Sequence, residues 1–347
     1  MTMDHRPPHL SATPAVPAIP AAAGPASAAS ATRLVVGCGY LGTRVAARWL
    51  AAGDRVYGIT RRPATAAALA AIGINPIVLD VTAEWDFSKD VPVDSGPGES
   101  ASDGLRPFPA FDTVFWAVGF DRTSHTTHRE VHVTGLSRLL DALPGRPRVI
   151  LSSSTGVWGD EHGQIVNEDT PVHPSREAGR VLAEAESLLL SHRLGPGVAL
   201  RFAGLYGPDR LPRIDDLRAA RPIAADPDSW LNLIHVDDAA AIVCAVAAAA
   251  APQPLYVVSD GHPVLRRDWY GHLAAITGSP DPVWDPAAPR TRAADKRVDP
   301  SRLFRDVGVV LAHPDPLRGI AAALAAPENF LRDRTGPNRT GPKNSPS

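Results

Sequence analysis

The sequence predicts an α/β protein: a doubly wound parallel sheet followed by a smaller C-terminal lobe. Three observations predict it. Short runs of three to six apolar residues alternate with helical patterns along the first two hundred positions. The runs are apolar throughout rather than alternating with polar residues, as expected of strands covered on both faces. A glycine-rich turn joins the first run to the first helix.

The elements follow in order. Leu34-Val35-Val36 is a short strand ending at glycine, and Leu41, Val45, Ala46 and Leu50 mark one face of a helix that stops at Gly53. A second strand, Arg55 to Thr60, leads through an alanine-rich helix, Ala64 to Ile72, to a third strand, Pro76 to Val81. Residues 84–110 are rich in Asp, Ser, Pro and Gly without periodicity, which reads as a long surface loop. The alternation resumes with a strand at Thr113 to Val118, a helix at Thr127 to Leu143 and a strand at Val149 to Ser152. A helix at Ser175 to Leu190 and a strand at Val198 to Phe202 follow. Beyond that the order is irregular and proline-rich, with one clear helix at Asp238 to Ala250.

This gives a division into a main domain at 32–203 and a smaller lobe at 204–327 with elements returning to the main sheet. Residues 1–31 are mostly Ala, Pro and Ser, and 328–347 are again polar and proline-rich. Both stretches read as disordered, because neither holds enough apolar surface to offset ordering entropy. Asp4, His5 and the repeated prolines do not fit a secretory signal.

Composition narrows the function. The chain has 347 residues, 44% hydrophobic and 21% charged, with a formal net charge of −2. Without a basic run there is no footprint for nucleic acid or an anionic membrane. No apolar run reaches the length of a transmembrane helix. Two cysteines, Cys38 and Cys244, make no disulfide framework, and a cytoplasmic location is the simple reading.

Gly37-Cys38-Gly39-Tyr40-Leu41-Gly42 fits G-x-G-x-x-G between a strand and a helix, the context that makes the pattern informative. Gly37 allows the tight turn, Gly39 lets the backbone approach a pyrophosphate, and Gly42 permits close helix–strand packing. The helix start offers N–H groups to phosphate. The fold is therefore read as Rossmann-type and the ligand as a dinucleotide. At the end of the second strand, where an acid would bond the ribose 2′-hydroxyl of NAD, the chain has Thr60-Arg61-Arg62. Two guanidinium groups suit a 2′-phosphate, so NADP is favoured, with NAD possible. Asp80 and Val81 end the third strand and are placed at the adenine edge; Asp80 could equally cap a helix. Ala117, Val118 and Gly119, where the fourth strand ends, complete the predicted cofactor set.

Further motifs carry a family resemblance. The glycine loop, Ser152-Ser153-Ser154-Thr155-Gly156-Val157-Trp158-Gly159, Arg201-Phe202-Ala203-Gly204-Leu205-Tyr206-Gly207-Pro208 and His235-Val236-Asp237-Asp238 together resemble the extended short-chain dehydrogenase/reductase family. More narrowly they resemble its NAD-dependent epimerase/dehydratase branch, over roughly Arg33 to Ala325. The resemblance implies a substrate pocket between a Rossmann domain and a C-terminal lobe, small-molecule substrates such as nucleotide sugars, and a possible homodimer.

The chain departs from that pattern where the chemistry belongs. Extended members carry a looser G-x-x-G-x-x-G, and Val36 holds the first of those positions. Active relatives use a Ser or Thr, a Tyr general acid/base, and a Lys four residues later that lowers the Tyr pKa. Aligning Glu186 with the usual helix glutamate puts Ala178 and Leu182 at the Tyr and Lys positions; a two-residue shift gives Arg176 and Arg180. The tyrosines at 40, 57, 206, 256 and 270 are followed four positions on by Arg44, Arg61, Arg210, Asp260 and Ala274, so no Tyr-x-x-x-Lys exists. The lysines are Lys89, Lys296 and Lys343.

The remaining candidates are few. Ser154 aligns best with the family serine and can donate to a substrate oxygen; Ser153 is its neighbour, and both could instead form a turn. Tyr206 could line the same cleft or simply pack beside a glycine-proline turn. Arg180 could replace the missing charge against ribose or phosphate, or pair on the helix surface with Glu177 or Glu184. His125, His128 and His132 fall on one helical face, at i, i+3 and i+7; no metal is expected, and His128 is the candidate proton donor. Asp237 and Asp238 read as helix-capping residues, and Trp158 is expected to pack over the cleft. Two functions fit: an NADP-dependent oxidoreductase or epimerase acting on a hydroxyl or carbonyl, or a non-catalytic dinucleotide sensor.

Overall fold

The computed structural model describes residues 30–83, 109–159, 161–195, 197–285 and 295–326. The tail, the leader up to residue 29 and nearly all of the predicted loop at 84–110 lie outside the described residues.

Strand β1 (Thr32–Val36) leads through the glycine turn to helix α1 (Gly42–Ala51) and strand β2 (Arg55–Thr60). Helix α2 (Pro63–Ala71), strand β3 (Asn75–Val78) and strand β4 (Thr113–Trp116) follow. A π-helical turn, Glu130–Thr134, runs directly into α3 (Gly135–Ala142). Then come β5 (Arg148–Ser154), a 3₁₀ turn at Thr155–Val157, β6 (Ile165–Val166) and α4 (Glu177–Ser191). The rest comprises β7 (Val198–Phe202), β8 (Gly204–Tyr206), α5 (Ile214–Arg218), β9 (Trp230–Leu231) and β10 (Leu233–His235). It ends with α6 (Val236–Ala248), β11 (Leu255–Val258), β12 (Val264–Leu265), α7 (Arg266–Thr277), β13 (Arg297–Val298), α8 (Ser301–Val307) and α9 (Pro316–Ala325).

Seven strands form one sheet in the order β11-β7-β5-β4-β1-β2-β3, and every pair in it is parallel. The strand order reverses between β1 and β4, which opens a crevice at their carboxyl ends. The wholly buried strands supply both cores. Val35, Phe115, Ile150 and Leu200 point to the face covered by α1 and α6, where Trp49, Ile242 and Val246 join them. Leu34, Val36, Val114, Trp116 and Leu151 point to the face covered by α3 and α4, with Leu139 and Leu189. A separate apolar cluster around Leu217, Leu233, Trp269, Leu273 and Ile320 holds the C-terminal elements together.

Three differences from the sequence reading matter for the site. First, β3 and β4 stop at Val78 and Trp116, shorter than their apolar runs, and the residues left over turn outward to line the crevice. Second, β5 runs on through Ser153 and Ser154, so the two serines face opposite sides of the sheet. Third, β11 comes from the C-terminal third and extends the main sheet by a strand beside β7. The helix read from Asp238 begins at Val236, and its cap is His235, whose side chain accepts from the Asp237 N–H. Asp238 instead accepts from the Ala312 and His313 N–H groups, both at 2.8 Å, and so ties α6 to the segment before α9.

Candidate active site

Two cavities open at the carboxyl edge of the sheet. The first, of about 290 Å³, lies over the ends of β1 to β4. Its floor is the glycine turn, which is clamped to β2 because the Gly37 and Cys38 N–H groups both donate to the Ile59 carbonyl (3.0 and 3.3 Å). Each glycine answers a different demand. Gly37 has φ +94°, and a Cβ there would lie 2.8 Å from the backbone of Ala117 and Val118. A Cβ on Gly42 would lie 2.2 Å from the Gly37 carbonyl oxygen. Gly39 has nothing within 4 Å of its Cβ position, so the space above it is open. Helix α1 carries no side-chain N-cap and no acid in its first turn. Its positive end therefore lies uncompensated by side chains next to the glycine turn, although the Thr43 N–H is taken by the Gly39 carbonyl at 3.1 Å. This cradle fits a dinucleotide pyrophosphate.

Of the predicted cofactor set, Gly37, Cys38, Gly39, Thr60, Arg61, Arg62, Asp80, Val81, Ala117, Val118 and Gly119 all line this cavity. The other half of the glycine motif works from behind. Leu41 is buried in the core. The Tyr40 hydroxyl donates to the Pro208 carbonyl at 2.9 Å, and the ring lies under the Arg44 guanidinium. Tyr40 therefore ties the turn to the chain after β8. Burial pushes the Cys38 thiol up to about 12, which makes it an inert apolar filler. Asp80 holds a turn by accepting from the Thr82 N–H and hydroxyl (2.9 and 2.7 Å) rather than capping a helix. The sequence shows no acid beside Arg61, but the fold brings one: Arg61 forms an ion pair with Asp121, from the segment after β4.

The second cavity, of about 680 Å³, lies between the end of β5 and the C-terminal elements. Ser154 lines it, with its Oγ accepting from the Gly156 N–H at 3.1 Å, which leaves the hydroxyl proton for another acceptor. Arg176, Arg213, Arg266 and Lys296 also line it, with no acidic side chain among the lining residues. Trp230 and Tyr270 add aromatic surface. Lys296 is only 4% exposed and donates to the Trp158 and Gly159 carbonyls, both at 3.1 Å. Sequence reasoning gave Lys296 no role; its single signal was the scarcity of lysine.

The other candidates sit elsewhere. Ser153 is buried on the opposite face, where its hydroxyl donates to Glu186 at 2.5 Å. Glu186 in turn takes a bidentate pair from Arg201, whose guanidinium lies over the Trp158 ring. Ser153 therefore belongs to a buried ion-pair network. Tyr206 is fully buried outside both cavities, edge-on to His235 and Trp269, and burial together with Asp260 raises its pKa. His128 stacks on Phe120 with ring centroids 3.6 Å apart, so it stands one ring behind the first cavity. The three-histidine face does not form, because His125 lies before the helix and is exposed. His132 is buried, which pushes its pKa down to about 4.

Helix α4 explains the missing dyad geometrically. Gly179 lies so close to the 3₁₀ turn that a Cβ would meet the Gly156 carbonyl oxygen at 2.3 Å. This contact seats the helix start directly on the strand end. Arg176, just before the helix, reaches the second cavity, whereas Arg180 is exposed and lines neither. Its expected surface partner Glu184 pairs with Arg129 instead. His235, Asp237 and His313 bring three donor atoms within 4.8 Å of one another. There His235 Nδ1 already accepts from the Asp237 N–H, and Arg44 already neutralises Asp237. Among the described residues, no helix is long and apolar enough to cross a membrane.

A parallel sheet with its crevice at the β1/β4 reversal, a glycine cradle and a second pocket beside a strand-end serine define a Rossmann-type protein of the epimerase/dehydratase kind. The profile of the NAD dependent epimerase/dehydratase family matches residues 33–259, and the chain belongs to that family. Protein YeeZ of Escherichia coli K12 is 34% identical over 194 residues, 54% of this chain and 67% of YeeZ. A candidate NAD-dependent epimerase/dehydratase of known structure from Methylobacillus flagellatus is 28% identical, with a TM-score of 0.64 over 86% of this chain and 98% of that one. The UDP-glucuronic acid 4-epimerase of Bacillus cereus, solved with UDP-glucuronic acid and NAD, is 19% identical, with a TM-score of 0.65 over 87% and 99% of the two chains. At that identity the likeness shows the fold alone.

Proposed function

We propose that the chain is a dinucleotide-dependent oxidoreductase or epimerase that takes NADP, and also NAD, in the first cavity and an anionic hydroxyl or carbonyl substrate in the second. The observation that carries this reading is the glycine cradle, closed to a Cβ at Gly37 and Gly42 and open at Gly39. Gly37, Gly39 and the start of α1 would hold the pyrophosphate, and Thr60, Arg61 and Arg62 the adenosine ribose. When bound, the nicotinamide supplies hydride transfer. The second cavity favours an anion, because among the described residues four cationic side chains and no acid line it. A nucleotide sugar fits, with a diphosphate for the arginines and a ring for Trp230 or Tyr270.

Within this site Ser154 Oγ donates its proton in a hydrogen bond to the substrate oxygen and so orients the reacting carbon. Lys296, held by two carbonyls, contributes a buried positive charge that favours oxyanion character in the same cavity. Ser154 is not a base at neutral pH, so a different group or water entering the cavity relays the proton that a tyrosine would carry. Titration of the purified protein with NADPH and NADH, followed by turnover assays on UDP-sugars and simple carbonyls, tests the reading. Saturable binding with turnover supports it, and failure to bind either dinucleotide overturns it. The absence of Tyr-x-x-x-Lys favours the second reading, a non-catalytic NADP(H) sensor, which binding without turnover on any substrate would support.

A further inference from the structure

The first cavity is charge-balanced in a way that the sequence around Arg61 does not reveal. Among the described residues, its charged lining is two cations, Arg61 and Arg62, and two acids, Asp80 and Asp121. Asp80 is committed to the Thr82 turn. Asp121 is turned towards the cleft: one carboxylate oxygen accepts from the Thr123 N–H and hydroxyl (2.9 and 2.6 Å), and the other accepts from Arg61. Those hydrogen bonds from Thr123, with Arg61 behind them, hold the Asp121 carboxyl down at about 2. It is therefore charged across the physiological range.

The pair also has a defined place in the fold. Arg61 follows β2 and Asp121 follows β4, and these two strands flank β1 in the sheet. With neighbouring strands about 4.8 Å apart, the strand ends stand roughly 10 Å from each other. The ion pair therefore joins the segment after β4 to the end of β2 within the first cavity, where a ribose 2′-substituent would meet Arg61. A 2′-phosphate seeking Arg61 must displace a carboxylate fixed by its own turn, and then sits beside that negative charge. A 2′-hydroxyl faces no such competition.

We propose that Asp121 sets coenzyme selectivity: its carboxylate competes with the 2′-phosphate of NADP for Arg61, so the cleft admits both coenzymes instead of committing to the phosphorylated one. This rests on the dinucleotide reading of the first cavity. The two arginines supply the attraction for phosphate, and Asp121 offsets it. Without Asp121 the cleft becomes strongly NADP-selective.

Affinities for NADPH and NADH, measured by titration at low and at physiological salt, test the proposal. Asp121→Asn keeps an oxygen for Thr123 and removes the charge; the affinity ratio should shift towards NADPH by roughly five- to tenfold at low salt, and less as salt screens the pair. Asp121→Ser, whose hydroxyl also accepts from the Thr123 N–H, serves if the Asn variant does not fold. In an Arg61→Gln background the same substitution should move the ratio by no more than about twofold, because the competition has lost its object. A ratio that stays put, or that shifts towards NADH, overturns the proposal; the second result would mean that Asp121 poises Arg61 for phosphate. A full shift that persists without Arg61 overturns it as well. If wild type binds both coenzymes and the ratio does not move, only this inference fails. If wild type binds neither, the dinucleotide reading fails with it.

Discussion

The two cavities are built from different materials. The first has a floor of backbone, the glycine turn after β1, and walls from the residues left over where β3 and β4 stop short and from the end of β2. The second is made of side chains from β5, the segment before α4 and the C-terminal elements, far apart in sequence. A floor made of backbone tolerates little change in its glycines, whatever side chains stand around it. A site made of side chains can lose one chemical pair and keep its shape. This explains how the glycine cradle stays intact while Tyr-x-x-x-Lys is gone and four cations line the pocket beside it.

Substitutions at the glycines break this contrast most sharply. Gly39→Ala places a methyl group in open space, so melting temperature should stay within about 2 °C while dinucleotide affinity falls about a hundredfold, because the methyl occupies the pyrophosphate position. Gly37→Ala forces φ +94° on an L-residue and a 2.8 Å clash with the Ala117 backbone, so it should lose about 2–4 kcal/mol of stability as well as binding. Calorimetry and coenzyme titration on both variants check this. Equal loss of stability in the two would show that Gly39 is a folding residue and not an opening for a ligand.

The adjacent serines sharpen the second cavity. Glu186→Gln leaves Arg201 with a buried, uncompensated charge and should cost about 3–5 kcal/mol, visible in urea unfolding. Ser153→Ala removes a buried hydrogen bond to that carboxylate and should cost about 1–3 kcal/mol. Ser154→Ala should leave stability nearly unchanged and lower kcat of any turnover found by about 10- to 100-fold. If Ser153→Ala instead removed activity without loss of stability, the assignment of the two faces would be reversed.

Burial of His132 gives a pH signature of the fold under the first cavity. Its folded pKa of about 4 lies below the ordinary histidine value of 6.5, so the unfolded chain binds more protons between those limits. Stability contributed by the neutral ring is complete above about pH 6.5 and is lost as pH falls towards 4, amounting to about 2 kcal/mol at pH 5. Asp260 acts in the opposite sense: burial raises it to about 8, so its contribution falls as pH rises towards that value. The difference between wild type and His132→Gln isolates the histidine. A difference that is flat from pH 7 to 5 would show that the ring is hydrated in the folded protein.

How much of this was readable in the sequence follows from the same contrast. The parallel sheet and the coenzyme cleft were legible because local rules fix them: an apolar run, a G-x-G-x-x-G turn and a helix start need no distant partner. Eleven of the predicted cofactor residues line one cavity for that reason. Ser153 and Ser154 were not separable, since their fates depend on the parity of a strand that ends two residues beyond its predicted end at Ser152. Lys296 and Asp121 were invisible as site residues. Each reaches its cavity only through the topology, Lys296 from β13's approach to β6 and Asp121 from the segment after β4. Of the two readings of Tyr206, the packed one holds and the cleft-lining one does not: the glycine-rich turn after it resembles a cleft edge, but the α9 backbone at Gly319 packs against its ring.

Arg180 supplies the smallest effect and the cleanest test of how far family position can be carried over. It stands where a register shift puts the dyad lysine, four residues after Arg176. Yet Gly179 is the residue that α4 turns inward, against the Gly156 carbonyl, and this leaves Arg180 exposed while Arg176 lines the second cavity. Arg180→Ala should therefore change coenzyme affinity and melting temperature by less than twofold and about 1 °C, within the range of ordinary surface substitutions. Arg176→Ala should weaken an anionic substrate about tenfold through KM, since a cation that meets the substrate's charge in both ground and transition states contributes uniform binding. If Arg180 rather than Arg176 proved sensitive, α4 would have to slide by about 6 Å along its axis when ligands bind, because residues four apart lie on nearly the same face of a helix, one turn apart.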